Sequence, residues 1–240
     1  MDKTEFLKKL KLEAKKLKLV LNDKQLENFY KYMLILLEWN EKINLTAITE
    51  PEEIITKHFI DSLTSVKYIE NGSNIVDVGT GAGFPGVPLA ISNDSLNITL
   101  VDSLNKRINF LNDVREKLNL NNTIAIHNRA EEFGENKQYR EKYDIAISRA
   151  VARLNILVEY LLPTVEVGGK CICMKGPDCK DEIEEAKKAI EVLGGKIEKV
   201  EDFYLPDTDI KRTIIIINKI KNTPNKFPRK AGTPAKDPIK

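Results

Sequence analysis

The sequence predicts an α/β protein with a doubly wound, mostly parallel sheet that ends in an antiparallel hairpin, behind an N-terminal helical extension. From residue 74 onward, short apolar runs alternate with helical stretches, which is typical of parallel strands joined by crossover helices. The last two runs, at 196–204 and 212–219, leave no room for a helix between them and therefore predict a hairpin. Before residue 70, apolar residues recur at helical spacing instead.

The extension is predicted to hold three helices. Leucines recur at near-helical spacing among the lysines of residues 1–20, and a second amphipathic segment covers residues 23–39. A third helix is expected to run to about Val66, with Thr49 as its cap and Pro51 at an early helical position.

The sheet is predicted to have five parallel strands and the two strands of the hairpin. The parallel strands are expected at 74–78, 98–102, 123–127, 143–148 and 170–174. Helices are expected between them at 88–92, 106–118, 154–161 and 180–193, the last capped by Gly194-Gly195.

This order of elements favours one class of α/β protein. A doubly wound sheet with a terminal antiparallel hairpin is the Rossmann-like arrangement of class I S-adenosylmethionine-dependent methyltransferases, whereas a plain dinucleotide-binding fold continues with parallel units. We therefore divide the chain into a helical extension (1–70), a methyltransferase domain (71–220) and a basic C-terminal tail (221–240).

Composition is that of an ordinary globular protein. The 240 residues are 42% hydrophobic and 31% charged, enough for one medium domain with an extension. No apolar run approaches the roughly 20 residues that cross a bilayer, and no signal peptide is recognisable, so we expect a cytoplasmic protein without a membrane partner. The three clustered cysteines, Cys171, Cys173 and Cys179, are odd in number and have no nearby histidine, which predicts buried free thiols and no metal.

Charge is distributed unevenly behind a net value of +2. Residues 1–20 carry seven Lys against three acidic residues, and residues 219–240 carry seven Lys or Arg against one, so the chain between these ends is acidic. Basic ends on an acidic body favour a polyanionic partner, although a pair of solvated tails would look the same.

A glycine-rich turn follows the first predicted strand. In Asp77-Val-Gly-Thr-Gly-Ala-Gly-Phe-Pro-Gly86 the missing side chains of Gly79, Gly81 and Gly83 allow a ligand to approach the backbone. The segment 81–86 also matches the GxGxxG pattern of nicotinamide enzymes, so the motif alone does not choose between cofactors.

The surroundings of the turn favour S-adenosylmethionine. Asp77 precedes the turn within the strand, and Pro85 replaces a free amide where a diphosphate-binding helix would begin. An acid suits the ammonium and sulfonium of S-adenosylmethionine and would repel a diphosphate. Asp102, at the end of the second strand, can take both ribose hydroxyls.

Two further strand ends carry candidate ligands. Ala130 and Glu131 follow the third strand, where an amide and a side chain can flank the adenine, and Arg149 closes the fourth strand at the ligand-binding edge of such sheets. The other interpretation of Arg149 is a surface ion pair.

Seven blocks of sequence resemble the bacterial RsmG (GidB) family, in order and over almost the whole chain. They are Asn44-Leu-Thr-Ala-Ile48, His58-Phe-Ile-Asp-Ser-Leu63, Asp77 to Gly86, Val101-Asp-Ser-Leu-Asn-Lys-Arg107, Arg129-Ala-Glu131, Ser148-Arg-Ala-Val-Ala152 and Phe227-Pro-Arg-Lys-Ala-Gly-Thr-Pro234. The resemblance implies methyl transfer from S-adenosylmethionine to N7 of guanine 527, in the reference numbering, of 16S ribosomal RNA.

The resemblance also implies site residues. It gives Gly79, Phe84, Ala130, Glu131 and Arg149 as cofactor contacts, with Asp102 as the ribose ligand. Guanine N7 has an available lone pair, so no general base is needed and alignment of the reactants can carry the reaction. Arg149 is hypothesised to orient the base or the cofactor, and His58 and Asp61 to line the pocket from the extension; a packing role is the alternative for His58.

Contact with RNA is expected at both basic ends, through phosphate neutralisation. The predicted residues are Lys226, Arg229 and Lys230 in the tail and Lys8, Lys9, Lys11, Lys15 and Lys16 near the N-terminus. The RNA partner is expected alone, within the small ribosomal subunit, or within its precursor. Two alternatives stay open: a methyltransferase of the same fold acting on a small molecule or protein, and a non-catalytic RNA-binding assembly factor.

Overall fold

A seven-stranded mixed sheet forms the centre of the computed structural model, which describes residues 1–240. Its strands in chain order are β1 (Asn74–Val78), β2 (Asn97–Asp102), β3 (Thr123–His127), β4 (Tyr143–Arg149), β5 (Val165–Lys175), β6 (Gly195–Tyr204) and β7 (Lys211–Lys219). The spatial order is β3-β2-β1-β4-β5-β7-β6. All seven predicted strands are therefore present.

Strand directions confirm the predicted topology. β1 pairs in parallel with β2 and β4, and the parallel set continues to β3 on one side and β5 on the other. β7 is antiparallel to both β5 and β6, which makes the terminal hairpin. The order of the strands reverses between β1 and β4, the point at which doubly wound sheets bind ligands at the carboxyl ends of their strands.

Ten α-helices accompany the sheet. They are α1 (Lys3–Lys16), α2 (Asp23–Ile43), α3 (Pro51–Glu53), α4 (Asp61–Leu63), α5 (Gly86–Ser92), α6 (Asn105–Leu118), α7 (Ala130–Glu135), α8 (Leu154–Leu161), α9 (Lys180–Val192) and α10 (Thr233–Lys236). The short helices α7 and α10 were missed, because four to six residues are too few for a periodic pattern.

β5 is longer than predicted. The expected strand began at Lys170, but the observed one begins at Val165 and shifts register against β4 between Tyr143 and Ile145. Gly168 and Gly169 suggest a turn in the sequence, but in the structure they lie within the irregular start of β5, which holds three more residues than β4 between the paired positions Tyr143–Val165 and Ile145–Lys170.

The helical extension packs on one face of the sheet. α1 and α2 both begin with a capping box, at Asp2 with Glu5 and at Asn22 with Gln25, which satisfies their first free amides. Phe6 of α1 belongs to the same cluster of 37 buried apolar residues as the strands β1 and β2. The extension and the sheet thus share one core; the division at residues 70 and 220 stays a prediction.

The third predicted helix is irregular. α3 passes directly into a π-helix at Ile54–Ile60, which continues into α4 and ends near a 3₁₀ turn at Val66–Tyr68. Pro51 starts it as expected, but the cap position is Glu50 and not Thr49, without a side-chain cap. π-helical turns are rare and concentrate at functional sites, and this one carries His58.

The three cysteines are buried free thiols, as predicted. Burial raises the pKa of the Cys173 thiol to about 12. A membrane-spanning helix is not present, since every helix is too short or too polar.

Candidate active site

The glycine turn after β1 is held by the neighbouring strand. Gly79 and Thr80 both donate their backbone N–H to the carbonyl of Val101 at the end of β2, at 2.9 and 3.1 Å. Gly79 has a φ of +71°, and a Cβ built on it would lie 2.6 Å from a methyl of Val151. Both the left-handed backbone and the close contact therefore require glycine at position 79.

Asp77 fixes the turn from inside. One oxygen of its carboxylate, Oδ2, accepts hydrogen bonds from the Thr80 hydroxyl at 2.7 Å and from the Gly86 N–H at 2.8 Å. The first amide of α5 is thereby taken by an acid, which agrees with the argument against a diphosphate at this helix. Burial raises the pKa of Asp77 to about 6, and its Oδ1 has no hydrogen-bond partner.

Asp102 connects the turn to the end of β2. Its Oδ2 accepts from the Gly81 N–H at 2.9 Å, its Oδ1 accepts from the Leu104 N–H at 2.9 Å, and Arg107 forms an ion pair with it at 3.2 Å. A carboxylate has about four acceptor sites, so capacity for a ligand hydroxyl is left. The side chain is 2% exposed, at the floor of a cavity.

A cavity of about 450 Å³ opens above Asp102, and we name it the β2–β3 cavity. Four of the predicted cofactor residues line it: Gly79, Asp102, Ala130 and Glu131. Its volume falls in the roughly 300–1,000 Å³ range of small-molecule sites. An acid, a strand-end amide and a glycine turn therefore meet in one space of the size of a small-molecule site.

The remaining residues of the turn lie differently. Gly81 is partly exposed, with no side-chain atom near a built Cβ, whereas a Cβ on Gly83 would meet Val87 at 2.6 Å and the Tyr32 hydroxyl at 2.7 Å. Gly83 is buried and serves close packing against α2. The Phe84 ring is also buried and stacks on His58, with ring centroids 4.4 Å apart.

Arg149 ends β4, and the glycine turn follows β1. The strand order reverses between these two strands, at a place that we call the switch point. Arg149 Nη1 donates to Asp61 Oδ2 at 3.1 Å, and the same oxygen accepts from Arg212 Nε at 3.1 Å. Its guanidinium carbon also lies 5.0 Å from the centroid of the Phe84 ring. With two arginines on one buried carboxylate, the local charge is positive, and the three predicted orienting residues Arg149, Asp61 and His58 do come together.

His58 is held on both ring nitrogens. Arg149 Nη2 approaches Nδ1 at 3.3 Å and must donate to it, so the proton belongs on Nε2, which lies 2.9 Å from the Thr46 hydroxyl oxygen. Burial, and then the nearby Arg149 charge, lower the pKa of His58 to about 3. His58 is a neutral imidazole that orients Arg149, and this use of both nitrogens leaves it no role as a base.

His58 gives the fold a testable pH dependence. Its pKa is about 3 when folded, against about 6.5 when unfolded, so its contribution to stability is complete above pH 6.5 and falls as the pH drops toward 3. At pH 5 the loss is about 2 kcal/mol. We expect His58→Gln to remove that part of the acid destabilisation in urea unfolding measured at pH 7 and pH 5.

The other histidine provides the control. His127 is exposed and contacts only the Ser103 carbonyl through its ring, so His127→Gln should leave the pH dependence as in the unsubstituted protein. An equal loss of stability between pH 7 and pH 5 in His58→Gln and in the unsubstituted protein would rule out the buried neutral imidazole.

A second cavity of about 530 Å³, the β4–β7 cavity, lies beside the first. Arg149, His58, Asp61 and Arg212 line it, and it shares Ala150 with the β2–β3 cavity. Ala150 has a φ of +57°, in the left-handed region that non-glycine residues adopt at special sites. Two ligands in these cavities would meet at the backbone of Ala150.

The loop that carries Ala150 is held from β5. Lys175 Nζ donates to the Ala152 carbonyl and to Glu182, each at 2.6 Å. Glu182 in turn accepts the Leu154 N–H at the start of α8. The side chains of Lys175 and Glu182 are 10% and 19% exposed, so a partly buried ion pair fixes the wall between the two cavities.

Several of these residues were missed by the sequence analysis. Arg212, Lys175 and Val151 reach the site from elements that are distant in sequence or from an irregular loop, and no spacing pattern marks them. Val151 lies within the Ser148–Ala152 block of the family resemblance, and that block is the sequence signal that could have marked it.

The predicted RNA residues differ in availability. Lys226 and Lys230 are exposed, whereas the Arg229 guanidinium is bound by Glu159, with Nη2 to Oε2 at 2.7 Å. Lys8, Lys11 and Lys15 are exposed along α1 without an ion pair; Lys9 pairs with Glu52, and Lys16 with Glu13 and Asp207.

The strand order with an antiparallel β7, the glycine turn, and the acid at the end of β2 define a class I S-adenosylmethionine-dependent methyltransferase. The family model GidB, described as rRNA small subunit methyltransferase G, matches residues 25–212. The chain belongs to this family.

Individual relatives agree over nearly their whole length. The protein named Ribosomal RNA small subunit methyltransferase G in Desulforamulus reducens is 53% identical over 232 residues, covering 96% of this chain and 97% of that protein. The protein of the same name in Acetivibrio thermocellus is 51% identical, with 100% of both chains covered. Among solved structures, M. jannaschii TYW2 in complex with AdoMet has a TM-score of 0.53 at 16% identity, covering 68% of this chain and 76% of that one, a likeness of fold.

Proposed function

We propose that this chain transfers the methyl group of S-adenosylmethionine to N7 of one guanine of 16S ribosomal RNA, guanine 527 in the reference numbering, in the cytoplasm. The observation that carries the proposal is the pair of cavities that share Ala150, one fitted to the cofactor and the other positively charged. The family membership supports the same reaction and the same class of RNA.

Three parts of the lining of the β2–β3 cavity each suit one part of the cofactor. We assign the ribose to Asp102, the adenine to Ala130 and Glu131, and the methionine part to the turn at Gly79 and Gly81. S-adenosylmethionine supplies an electrophilic methyl group carried on a sulfonium. Arg149 lines the neighbouring β4–β7 cavity, one residue before the shared Ala150, and is assigned to the side on which the two ligands react.

The β4–β7 cavity suits a base from an anionic polymer. Four cationic side chains line this cavity against the two carboxylates of Asp61 and Glu182, and His58 stays neutral near pH 7. The four cations are Arg149, Arg212, Lys57 and Lys175. Guanine N7 attacks with a lone pair that is free at neutral pH, so a proton need not be removed first. The residues that line the cavity then act by alignment, which can contribute roughly 7–11 kcal/mol.

The acceptor class is tested by label transfer. Purified protein is incubated with labelled S-adenosylmethionine and small ribosomal subunits from cells that lack this gene, and label is counted separately in RNA, ribosomal protein and the low-molecular-weight fraction. We expect label in RNA. Label in either other fraction would contradict the proposal, and cofactor binding without any transfer would instead support the non-catalytic assembly factor.

RNA contact is proposed at Lys226 and Lys230, with Lys8, Lys11 and Lys15 of α1. Removing two phosphate contacts lowers the slope of log affinity against log salt by about 1.4–1.8. We expect this loss for Lys226→Ala/Lys230→Ala in RNA binding measured over a range of salt concentrations. Lys117→Ala/Lys188→Ala, on α6 and α9, carries the same charge change as a control; an equal slope in both double variants would show that the tail lysines only add solubility.

A further inference from the structure

We infer that the segment after β7, residues 220–240, forms the adenine-side wall of the β2–β3 cavity, and that Arg229 positions this wall through Glu159. We name this segment the C-terminal strap. The inference deepens the proposed function, since it rests on S-adenosylmethionine binding in this cavity. The charge pattern of the sequence predicted that Arg229 contacts RNA. The inference assigns Arg229 to the cofactor cavity instead.

The strap is tied to the domain at its start. Arg140 donates to the carbonyl of Phe227 at 2.6 Å and to that of Thr223 at 2.8 Å. The Thr223 hydroxyl donates to the Leu193 carbonyl at 2.7 Å, and the Phe227 ring is 6% exposed. The residues just before Arg229 are therefore packed and bonded, and the strap is not a solvated tail.

A buried ion pair then fixes the middle of the strap. Glu159 of α8 is fully buried, and all of its hydrogen bonds come from Arg229: the backbone N–H at 2.8 Å, Nε at 2.9 Å, and Nη2 at 2.7 Å. A buried carboxylate is stable only when it is paired in this way. Because side chain and backbone of Arg229 both bind the same group, the path of the chain is fixed at this residue.

Three residues later the strap reaches the cavity. The Gly232 N–H donates to Glu131 Oε1 at 2.7 Å, and Gly232 and Ala235 line the β2–β3 cavity. Gly232 has a φ of +82°, a backbone conformation that favours glycine, and it precedes α10. Tyr160, the neighbour of Glu159, lines the same cavity.

The contact lies at one end of the cavity only. Glu131 follows β3, the position assigned to the adenine, whereas the glycine turn and Arg149 lie at the switch point between β1 and β4. Loss of the Arg229 anchor should therefore weaken binding of the adenosine part and leave the methionine part unaffected. Lys226 and Lys230 stay exposed beside the anchor for RNA.

The test measures ligand affinity without RNA. Isothermal titration, well below the melting temperature, gives the dissociation constants of S-adenosylmethionine and of 5′-methylthioadenosine, which lacks the amino-acid part. For Arg229→Ala/Glu159→Leu, which removes both charges together, we expect both ligands to bind about tenfold more weakly, by the same factor. Arg229→Lys should lose less, because it keeps the charge and the backbone N–H.

Controls separate this role from a purely structural one. Lys187→Ala removes an exposed ion pair on α9 and should change neither affinity. A lower melting temperature with unchanged affinities in the Arg229 and Glu159 variants would overturn the inference, as would a loss for S-adenosylmethionine without one for 5′-methylthioadenosine. Unsubstituted protein that binds the cofactor but labels no RNA would refute the proposed function and leave this inference intact.

Discussion

We expect Arg149→Ala to lower kcat for RNA methylation by about 100-fold or more, equivalent to about 2.7 kcal/mol. Arg149 closes β4, lines the β4–β7 cavity, and immediately precedes the residue that the two cavities share. The fold should survive, because Asp61 keeps Arg212 as a partner and no carboxylate is left buried alone. The measurement is single-turnover methylation with saturating cofactor, alongside a melting curve.

Two companion variants sharpen that result. Arg149→Lys keeps a positive charge but loses the planar guanidinium, whose two terminal nitrogens contact Asp61 and His58 together. This variant should therefore recover little of the activity. Arg153 lies four residues after Arg149, is exposed and pairs with Glu185. Arg153→Ala should therefore lower kcat at least tenfold less than Arg149→Ala. Near-normal turnover in Arg149→Ala would exclude this arginine from the reacting site.

Asp102→Asn should weaken S-adenosylmethionine binding by about 100-fold. A hydrogen bond to a charged acceptor contributes about 1.5–3 kcal/mol, and Asp102 has acceptor capacity left for a ribose hydroxyl. The substitution also turns one acceptor of the Gly81 or Leu104 amide into a donor, which disturbs the turn. Titration calorimetry with the cofactor alone checks the change.

A matched substitution on the far edge of the sheet serves as control. Asp144 also accepts a backbone amide, from Asn74 at 2.6 Å, but it lies at the amino end of β4, away from both cavities. Asp144→Asn should therefore alter stability more than cofactor affinity. Equal cofactor affinity in Asp102→Asn and the unsubstituted protein would show that the ribose is bound elsewhere.

The sheet could be predicted from the sequence because its signals are local. Each strand is a short apolar run bounded by turn residues, and the parallel order follows from the helices between the runs. The early part of β5 could not be predicted in this way, since Gly168 and Gly169 look like a turn until the pairing with β4 is known. The π-helix was equally hidden, because a helical period of apolar residues does not reveal its wider turn.

The candidate site was predictable at strand ends and not beyond them. Gly79, Asp102, Ala130 and Arg149 follow or close strands whose carboxyl ends meet at one edge, so their proximity follows from topology. Arg212 joins Asp61 across 151 residues of sequence, and only the antiparallel direction of β7 brings it there. Such contacts depend on the whole fold.

The C-terminal residues illustrate the same limit. Counting charges makes Lys226, Arg229 and Lys230 equivalent, and composition alone suggests a solvated tail. The partner that distinguishes Arg229 is Glu159, 70 residues away and fully buried. A burial pattern cannot reveal such a pair, because the acid lies on an otherwise apolar stretch of α8.

The most direct test of the central claim maps the methyl group. Small ribosomal subunits from cells that lack this gene are methylated with the purified protein and labelled S-adenosylmethionine, and the RNA is then cleaved by chemistry specific for N7-methylguanine. We predict cleavage at a single guanine, absent with the Arg149→Ala protein. Label that resists this cleavage, or that spreads over several nucleotides, would contradict the account.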